Sequence, residues 1–297
     1  MNPEPPPFSK IANLRTAELG VGVTVCLAGL CDQEKSIAIA LDRKLSLGWT
    51  SADDALTKLA RLHTNWFALY SSEDLTHVDP IFRGALKRFV DYPAPLTADV
   101  AAELFCAAYQ EHRKKQAVDQ HLSVYGLTME RFLAEGQKLF SRSDLKELNR
   151  RINEIDLECE FLVAGFDDIG KGHIFTVSNP GVSRFYDQIG YWGIGGGSHA
   201  SLATLQALNY FHFHSLERNL YKICAAKFAG ETASGVGAKT IVIAFRYGQS
   251  PIGIIQAEPL NEIKNAWENH GKPKVPDGIE ARIAEWLKPE KKEEDSK

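Results

Sequence analysis

The order in which strand-like and helix-like segments follow one another is the feature that most constrains this fold. Short runs rich in β-branched and aromatic residues occupy 21–70, and apolar residues at helical spacing follow over 79–157. Strand-like runs return over 160–186, a second helical block covers 199–230, and two last strand-like runs lie within 239–256. Strands and helices that are segregated in this way predict an α+β fold, with two sheets and helix layers outside them.

Local turn and cap residues refine this pattern. The polar segment 32–35 separates the first two strand-like runs, which predicts a β-hairpin. Side chains that accept hydrogen bonds from free N–H groups favour helix starts, proline suits the first turn, and glycine favours helix ends. On these grounds we predict helix starts at Asp79-Pro80, Thr97, Ser143, His199 and Ser215, with the last two helices ending near His212 and at Gly230.

Composition excludes several classes of protein. The 297 residues are 44 % hydrophobic and 24 % charged, as in an ordinary globular protein that needs no disulfide or metal for stability. The 34 Lys and Arg against 38 Asp and Glu leave a net charge of −4, which disfavours nucleic acid as a partner. No apolar run is long enough to span a bilayer, and five scattered cysteines are typical of a reducing compartment. We therefore predict a cytoplasmic protein without a membrane partner.

Changes in composition divide the chain into three parts. Four prolines among the first seven residues predict that 1–22 is a disordered leader or propeptide. The globular domain covers 23–260, and its segment of about 117–157 reads as a helical insertion. Residues 261–297 are predicted to form a C-terminal helical appendage, with a helix capped by Asp277, and a charged tail.

Five short motifs occur in a fixed order along the domain. They are Thr24-Val25-Cys26, Ala40-Leu41-Asp42-Arg43-Lys44, Thr57-Lys58-Leu59, Ile194-Gly195-Gly196-Gly197-Ser198 and the loop from Glu231 through Ser234 to Gly237. Together with the strand order, they resemble the proteasome β-subunit and its single-type bacterial relatives over roughly residues 23–258. That family consists of N-terminal nucleophile hydrolases. The resemblance therefore implies a four-layer αββα sandwich, the N-terminal nucleophile hydrolase fold, with a helical insertion.

The resemblance also implies an activity and a set of site residues. The activity is threonine-type hydrolysis of amide bonds in a peptide or protein substrate, in a homo-oligomer that forms a ring in this family, without metal or cofactor. The hydroxyl of such a threonine is activated by its own α-amine, whose ordinary pKa is roughly 7.7–8. The implied roles are Thr24 as nucleophile, Lys58 as cation, Asp42 as its orienting carboxylate, Glu231 and Ser234 beside the amine, an N–H near Ser72 as oxyanion donor, and Gly196 and Gly197 in the glycine turn.

One chemical requirement concerns the residues before Thr24. An internal Thr24 has an amide nitrogen, which is not a base, so the implied chemistry requires a chain that begins at Thr24. Self-cleavage would have to attack the carbonyl of Val23, whose β-branched side chain crowds that approach. A second hypothesis is that translation starts at Val23, from a valine codon read as methionine, and that removal of this methionine exposes Thr24.

Departures from the family pattern leave alternatives open. Gly196 stands where the family has serine, Glu231 where it has aspartate, and Ser72 where it has glycine. A catalytically inactive scaffold or binding subunit of the same fold is therefore the main alternative. A third hypothesis is an N-terminal nucleophile amidase that acts on a small molecule.

Three other features have functional interpretations that the sequence disfavours. The segment 193–198 precedes a helix but lacks the lysine of a phosphate-binding loop. His212 and His214 suggest a metal site, but no third ligand accompanies them. Cys26 is two residues from Thr24 on the same strand face, yet buried free cysteines are usually structural.

Overall fold

The computed structural model describes residues 24–47, 50–52, 58–72, 74–249, 253–274 and 276–286. The strands are β1 Cys26–Cys31, β2 Ser36–Asp42, β3 Leu45–Leu47, β4 Thr50–Ala52, β5 Leu59–His63, β6 Trp66–Ser72, β7 Cys159–Phe166, β8 Gly172–Ser178, β9 Val182–Phe185, β10 Tyr191–Ile194, β11 Thr240–Arg246 and β12 Gly253–Ile254. The α-helices are α1 Leu75–Asp91, α2 Ala98–Ala117, α3 Met129–Leu139, α4 Arg142–Asn153, α5 Ser198–Ala207, α6 Leu216–Gly230, α7 Ala257–Ala266 and α8 Ile279–Trp286. The predicted leader, 1–22, lies outside the described residues.

Two antiparallel sheets form the centre of the fold. The first has the strand order β10-β1-β2-β11-β12, and the second has the order β5-β6-β7-β8-β9. The hairpin β1–β2 is in register from Cys26 opposite Leu41 to Cys31 opposite Ser36. Its turn, 32–35, places three successive residues in the left-handed region of φ, which tightens the reversal. The predicted hairpin is confirmed.

Apolar side chains define the layers of the fold. A buried cluster that includes Cys26, Ile39 and Leu162 fills the space between the two sheets. Because side chains alternate across each strand, the other face of each sheet must be covered separately. Helices α1 and α2 cover the outer face of the second sheet, and α5 and α6 cover that of the first. The layers therefore follow the order helix, sheet, sheet, helix, which confirms the α+β sandwich.

Helix α1 begins earlier than the sequence predicts. Its N-cap is Asp74, whose carboxylate accepts a hydrogen bond of 2.8 Å from the backbone N–H of Thr76. Pro80 consequently lies inside the helix rather than in its first turn. The predicted start at Asp79-Pro80 is wrong because a capping carboxylate upstream satisfies the free N–H groups first.

Two other helix ends also differ from the prediction. Ser141, not Ser143, caps α4, and its hydroxyl accepts the N–H of Asp144 at 3.2 Å. Helix α5 ends at Ala207 rather than near His212, because Asn209 adopts a left-handed φ of 51° that a helix cannot continue through. The predicted caps Thr97 and Ser215 and the end at Gly230 are confirmed.

The segment 117–157 is helical and has a small core of its own. Helices α3 and α4 pack with the turns that follow α2 around Leu122, Leu127, Phe132 and Leu148. At the C-terminal end, α7 crosses residue 260, where the sequence places the domain boundary. Trp267, just beyond α7, is buried in the apolar cluster on the outer face of the first sheet, the face that α5 and α6 cover. The first part of the predicted appendage thus packs on the domain. Within the described residues, no helix is long and apolar enough to cross a membrane.

His173, at the start of β8, makes stability depend on pH. Its Nδ1 lies 2.7 Å from Asp187 Oδ2, and its Nε2 lies 3.1 Å from Asp167 Oδ2. Burial opposes the charge of the imidazolium, but the hydrogen bonds and charges of the two carboxylates outweigh it and raise the pKa of His173.

We therefore expect the stability supplied by His173 to be complete below its unfolded pKa of about 6.5 and lost as the pH rises through the raised folded pKa. Urea unfolding between pH 6 and pH 9 tests this, with His173→Gln as the reference variant. The unfolding free energy of the wild type should fall more over this range than that of the variant, and equal falls would contradict the assignment.

Candidate active site

Three residues predicted from separate motifs meet in one buried cluster. Thr24 precedes β1, Asp42 ends β2, and Lys58 precedes β5 of the opposite sheet. Thr24 Oγ1 donates a hydrogen bond to Asp42 Oδ1, and Lys58 Nζ donates one to Thr24 Oγ1. Lys58 Nζ also lies 3.0 and 3.1 Å from the two carboxylate oxygens of Asp42. Thr24 and Lys58 are each 3 % exposed, and Asp42 is fully buried.

Backbone groups complete the environment of the Asp42 carboxylate. Oδ1 accepts the N–H of Val25 at 3.0 Å, while Oδ2 accepts those of Lys44 at 3.1 Å and Gly237 at 3.2 Å. A buried charge is tolerated only when it is paired and hydrogen-bonded, and both conditions hold here. The carboxylate is therefore held in one orientation, with Lys58 and the Thr24 hydroxyl fixed beside it.

The glycine turn that resembles the family motif packs directly on Thr24. This turn, Gly195–Gly197, connects β10 to α5. The N–H of Gly197 donates to the carbonyl oxygen of Thr24 at 3.0 Å. Gly196, the middle residue of the turn, is half-buried. Gly195 has a φ of 91°, and a Cβ there would lie 2.4 Å from the Thr24 carbonyl oxygen. Only glycine fits this position, since it has no Cβ.

Gly195→Ala is expected to destabilise the protein by about 2–5 kcal/mol, because the new methyl group meets Thr24 and the left-handed φ adds strain. Gly126→Ala is the matched control: its φ is 64°, but a Cβ there meets no atom within 4 Å. The control should lose only about 1–2 kcal/mol in urea unfolding. Equal losses in the two variants would show that the turn does not press on Thr24.

Two residues that the resemblance implies beside the α-amine are not among the hydrogen-bond partners of Thr24, Asp42 and Lys58 given above. The Glu231 carboxylate accepts hydrogen bonds from Lys227 at 2.7 Å and from Lys264 at 3.0 Å. Ser234 is exposed, and none of the hydrogen bonds described above for the Thr24 cluster involves it. The structure brings Thr24, Asp42 and Lys58 into direct contact, whereas Glu231 is connected to Asp42 indirectly, through Lys227 and Gly237.

The Ser72 hydroxyl contacts backbone groups, next to the position where the resemblance implies a backbone N–H as oxyanion donor. It ends β6, and its hydroxyl lies 2.8 Å from the carbonyl oxygen of Asp74 and 3.1 Å from that of Glu158. The hydroxyl also accepts the N–H of Asp74 at 3.2 Å. The side chain therefore closes the connection into α1, and the oxyanion role of an N–H near Ser72 stays a prediction.

Cys26 lies between the sheets, with its Sγ 3.5 Å from the carbonyl oxygen of Tyr70. Burial raises the pKa of its thiol to about 12, so the nucleophilic thiolate is scarce at neutral pH.

Of the two histidines that suggest a metal site, His214 has its Nδ1 3.1 Å from Lys222 Nζ. Within the described ranges, no group of three or more His, Cys, Asp or Glu side chains is placed to hold a metal ion. The contacts of Cys26 and His214 favour structural roles for these two side chains.

Sequence reasoning missed Lys227, a fully buried lysine of α6. Its Nζ donates to Glu231 Oε1 and to the carbonyl oxygen of Gly237, both at 2.7 Å. The signal in the sequence is the spacing of four residues between Lys227 and Glu231, which places the two side chains on one helix face. Gly237 is the residue whose N–H reaches Asp42, so Lys227 belongs to the surroundings of the site.

No protein-family model matches the chain, and its sequence matches no curated protein.

Proposed function

We propose that the protein is a threonine-type amide hydrolase of the N-terminal nucleophile class, with a fold similar to that of the proteasome β-subunit. Its substrate is a peptide or protein, and Thr24 is the nucleophile once it is the first residue of the chain. The observation that carries the proposal is the buried contact among Thr24 Oγ1, Lys58 Nζ and the Asp42 carboxylate.

The layered fold supports the proposal. The candidate nucleophile stands at the start of a central strand of one sheet, and its cation comes from the edge of the other sheet. The resemblance implies this arrangement of two sheets between helix layers, and the glycine turn that carries part of it packs against Thr24. The motif at Glu231 fits less well, because its carboxylate is bound by two lysines.

The chemistry of such a site follows from the groups present. The α-amine takes the proton from Thr24 Oγ1 as the oxygen bonds to the substrate carbonyl carbon. The ammonium then gives this proton to the departing amine as the C–N bond breaks, which leaves an ester on Thr24. Water, deprotonated by the same amine, cleaves the ester, releases the acid and restores the hydroxyl. The Lys58 cation stabilises negative charge on Oγ1, while Asp42 holds that cation in place.

The proposal includes an assembly and a compartment. We place the chain in a homo-oligomer, a ring by fold analogy, within the cytoplasm. The exposed Phe211 and Phe213, whose rings stack with centroids 4.9 Å apart, offer apolar surface for contacts between subunits. Light scattering coupled to size-exclusion chromatography measures the assembly, and a monomer at micromolar concentration would contradict this part.

One experiment separates the hydrolase from an inactive scaffold, the alternative favoured by the lysine-bound Glu231 and the exposed Ser234. Protein purified from its native cells is incubated with a peptide β-lactone, which acylates nucleophilic threonines, and its intact mass is measured. For the hydrolase, we expect the mass of a chain that begins at Thr24 and carries one β-lactone adduct. A scaffold gives no adduct. A small-molecule amidase instead turns over small amides without forming a large ring.

A further inference from the structure

Lys227 is a buried cation that the proposed mechanism does not use. It lies on α6, is fully buried, and contacts Glu231 Oε1 and the carbonyl oxygen of Gly237. Burial lowers the pKa of its ammonium, and the charges of Glu231 and Asp42 oppose that effect. Glu231 extends the network to Lys264 of α7 at 3.0 Å. A lysine in such a place needs these partners, because an unpaired buried charge is strongly destabilising.

The backbone of Gly237 connects Lys227 to the Thr24 cluster. The carbonyl oxygen of this residue accepts from Lys227 Nζ at 2.7 Å, and its N–H donates to Asp42 Oδ2 at 3.2 Å. Gly237 ends the loop that follows Glu231 and has no side chain of its own to anchor it. Its position on Asp42 therefore depends on what holds its carbonyl group.

We propose that Lys227 is a positioning residue of the active site. By holding the carbonyl group of Gly237, it keeps the Gly237 N–H on Asp42, and Asp42 in turn fixes the Thr24 hydroxyl and the Lys58 ammonium. Lys227 does not touch the hydroxyl and acts through Gly237 and Asp42. The kinetic consequence rests on the hydrolase function proposed above, whereas the structural consequence does not.

Lys222 provides a matched control on the same helix. It is also a nearly buried lysine, and its Nζ donates to the carbonyl oxygen of Asn209 at 2.7 Å. Burial lowers the pKa of this ammonium as well, yet its contacts lie away from Gly237 and Asp42. Lys222→Met therefore removes a buried lysine of α6 but leaves the hydrogen bond from Lys227 to the Gly237 carbonyl oxygen in place.

The structural test is amide hydrogen exchange in the full chain, measured for wild type, Lys227→Met and Lys222→Met. In Lys227→Met, we expect exchange at Gly237 to become about tenfold faster or more, while Val163 in the middle of β7 keeps its protection. Lys222→Met should leave Gly237 unchanged relative to Val163. The proposal is overturned if Lys227→Met leaves Gly237 exchange unchanged, or if both variants accelerate it equally.

The kinetic test uses the same variants expressed as the full chain in the native cells. For the peptide β-lactone, we expect the limiting acylation rate of Lys227→Met to fall about 10- to 100-fold, because Thr24 and Lys58 lose their alignment. The half-saturating concentration should stay within about twofold, since Lys227 makes no surface for the substrate. An unchanged limiting rate overturns the positioning role. If wild type itself fails to react, the hydrolase function fails instead, and the hydrogen-exchange result decides the structural part alone.

Discussion

Thr24→Ala is expected to lower peptide hydrolysis by about 10⁴-fold or more, because no other group replaces the hydroxyl that forms the ester. The neighbouring Cys26 cannot substitute, since burial raises the pKa of its thiol to about 12. Thr24→Ser keeps a hydroxyl at the same position and is the control, with activity expected within about 100-fold of wild type. The measurement is the turnover of fluorogenic peptides by protein whose first residue is residue 24.

The expected stability of both variants separates a loss of the hydroxyl from a loss of the fold. The Thr24 side chain is small, and Asp42 keeps Lys58 and three backbone N–H groups without it. Both variants should therefore unfold within about 2 kcal/mol of wild type. Full activity in a folded Thr24→Ala protein would show that Thr24 is not the nucleophile.

Lys58→Met is expected to damage both stability and activity. Removal of the ammonium leaves the fully buried Asp42 carboxylate without its cation, which costs about 3–5 kcal/mol when one partner of a buried pair is lost. Acylation of Thr24 should become undetectable, because the charge beside Oγ1 is gone. Urea unfolding and the β-lactone adduct measure the two effects.

The double variant Asp42→Asn/Lys58→Met tests the cause of that loss. With both charges removed, neither is left unpaired, so the double variant should be about 1–3 kcal/mol more stable than the sum of the two single losses predicts. Its activity should remain absent, since the site has lost its cation. Strictly additive losses would contradict the direct Lys58–Asp42 pair.

Sequence patterns predicted the elements whose signals are local. The β1–β2 hairpin followed from two β-rich runs around a polar turn, and the meeting of Thr24 with Asp42 follows from that hairpin because the two residues flank its open end. Lys58 is a non-local partner from the other sheet, and only the resemblance placed it beside Thr24. Spacing alone does not show how two sheets stack.

The errors have physical causes in competing local or tertiary interactions. Helix α1 begins after its cap at Asp74 and not at Asp79-Pro80, although both segments carry helix-start signals. For Glu231, the structure shows contacts that the sequence did not predict, because a four-residue spacing brings its carboxylate to Lys227 and Lys264 approaches from α7. Its place beside the amine stays a prediction. Helix α7 falls partly in the predicted helical appendage and was not assigned to the domain, because its place there depends on packing against α6 and on the burial of Trp267.

The first residue of the native protein decides whether the proposed base exists. N-terminal sequencing and intact mass of the protein purified from its native cells determine whether the Thr24 nitrogen is an amine or an amide. The proposed hydrolase requires a chain that begins at Thr24, since only a free amine supplies the base for Oγ1. A native chain that still carries Met1 or Asn2 would contradict the hydrolase function and favour the inactive scaffold.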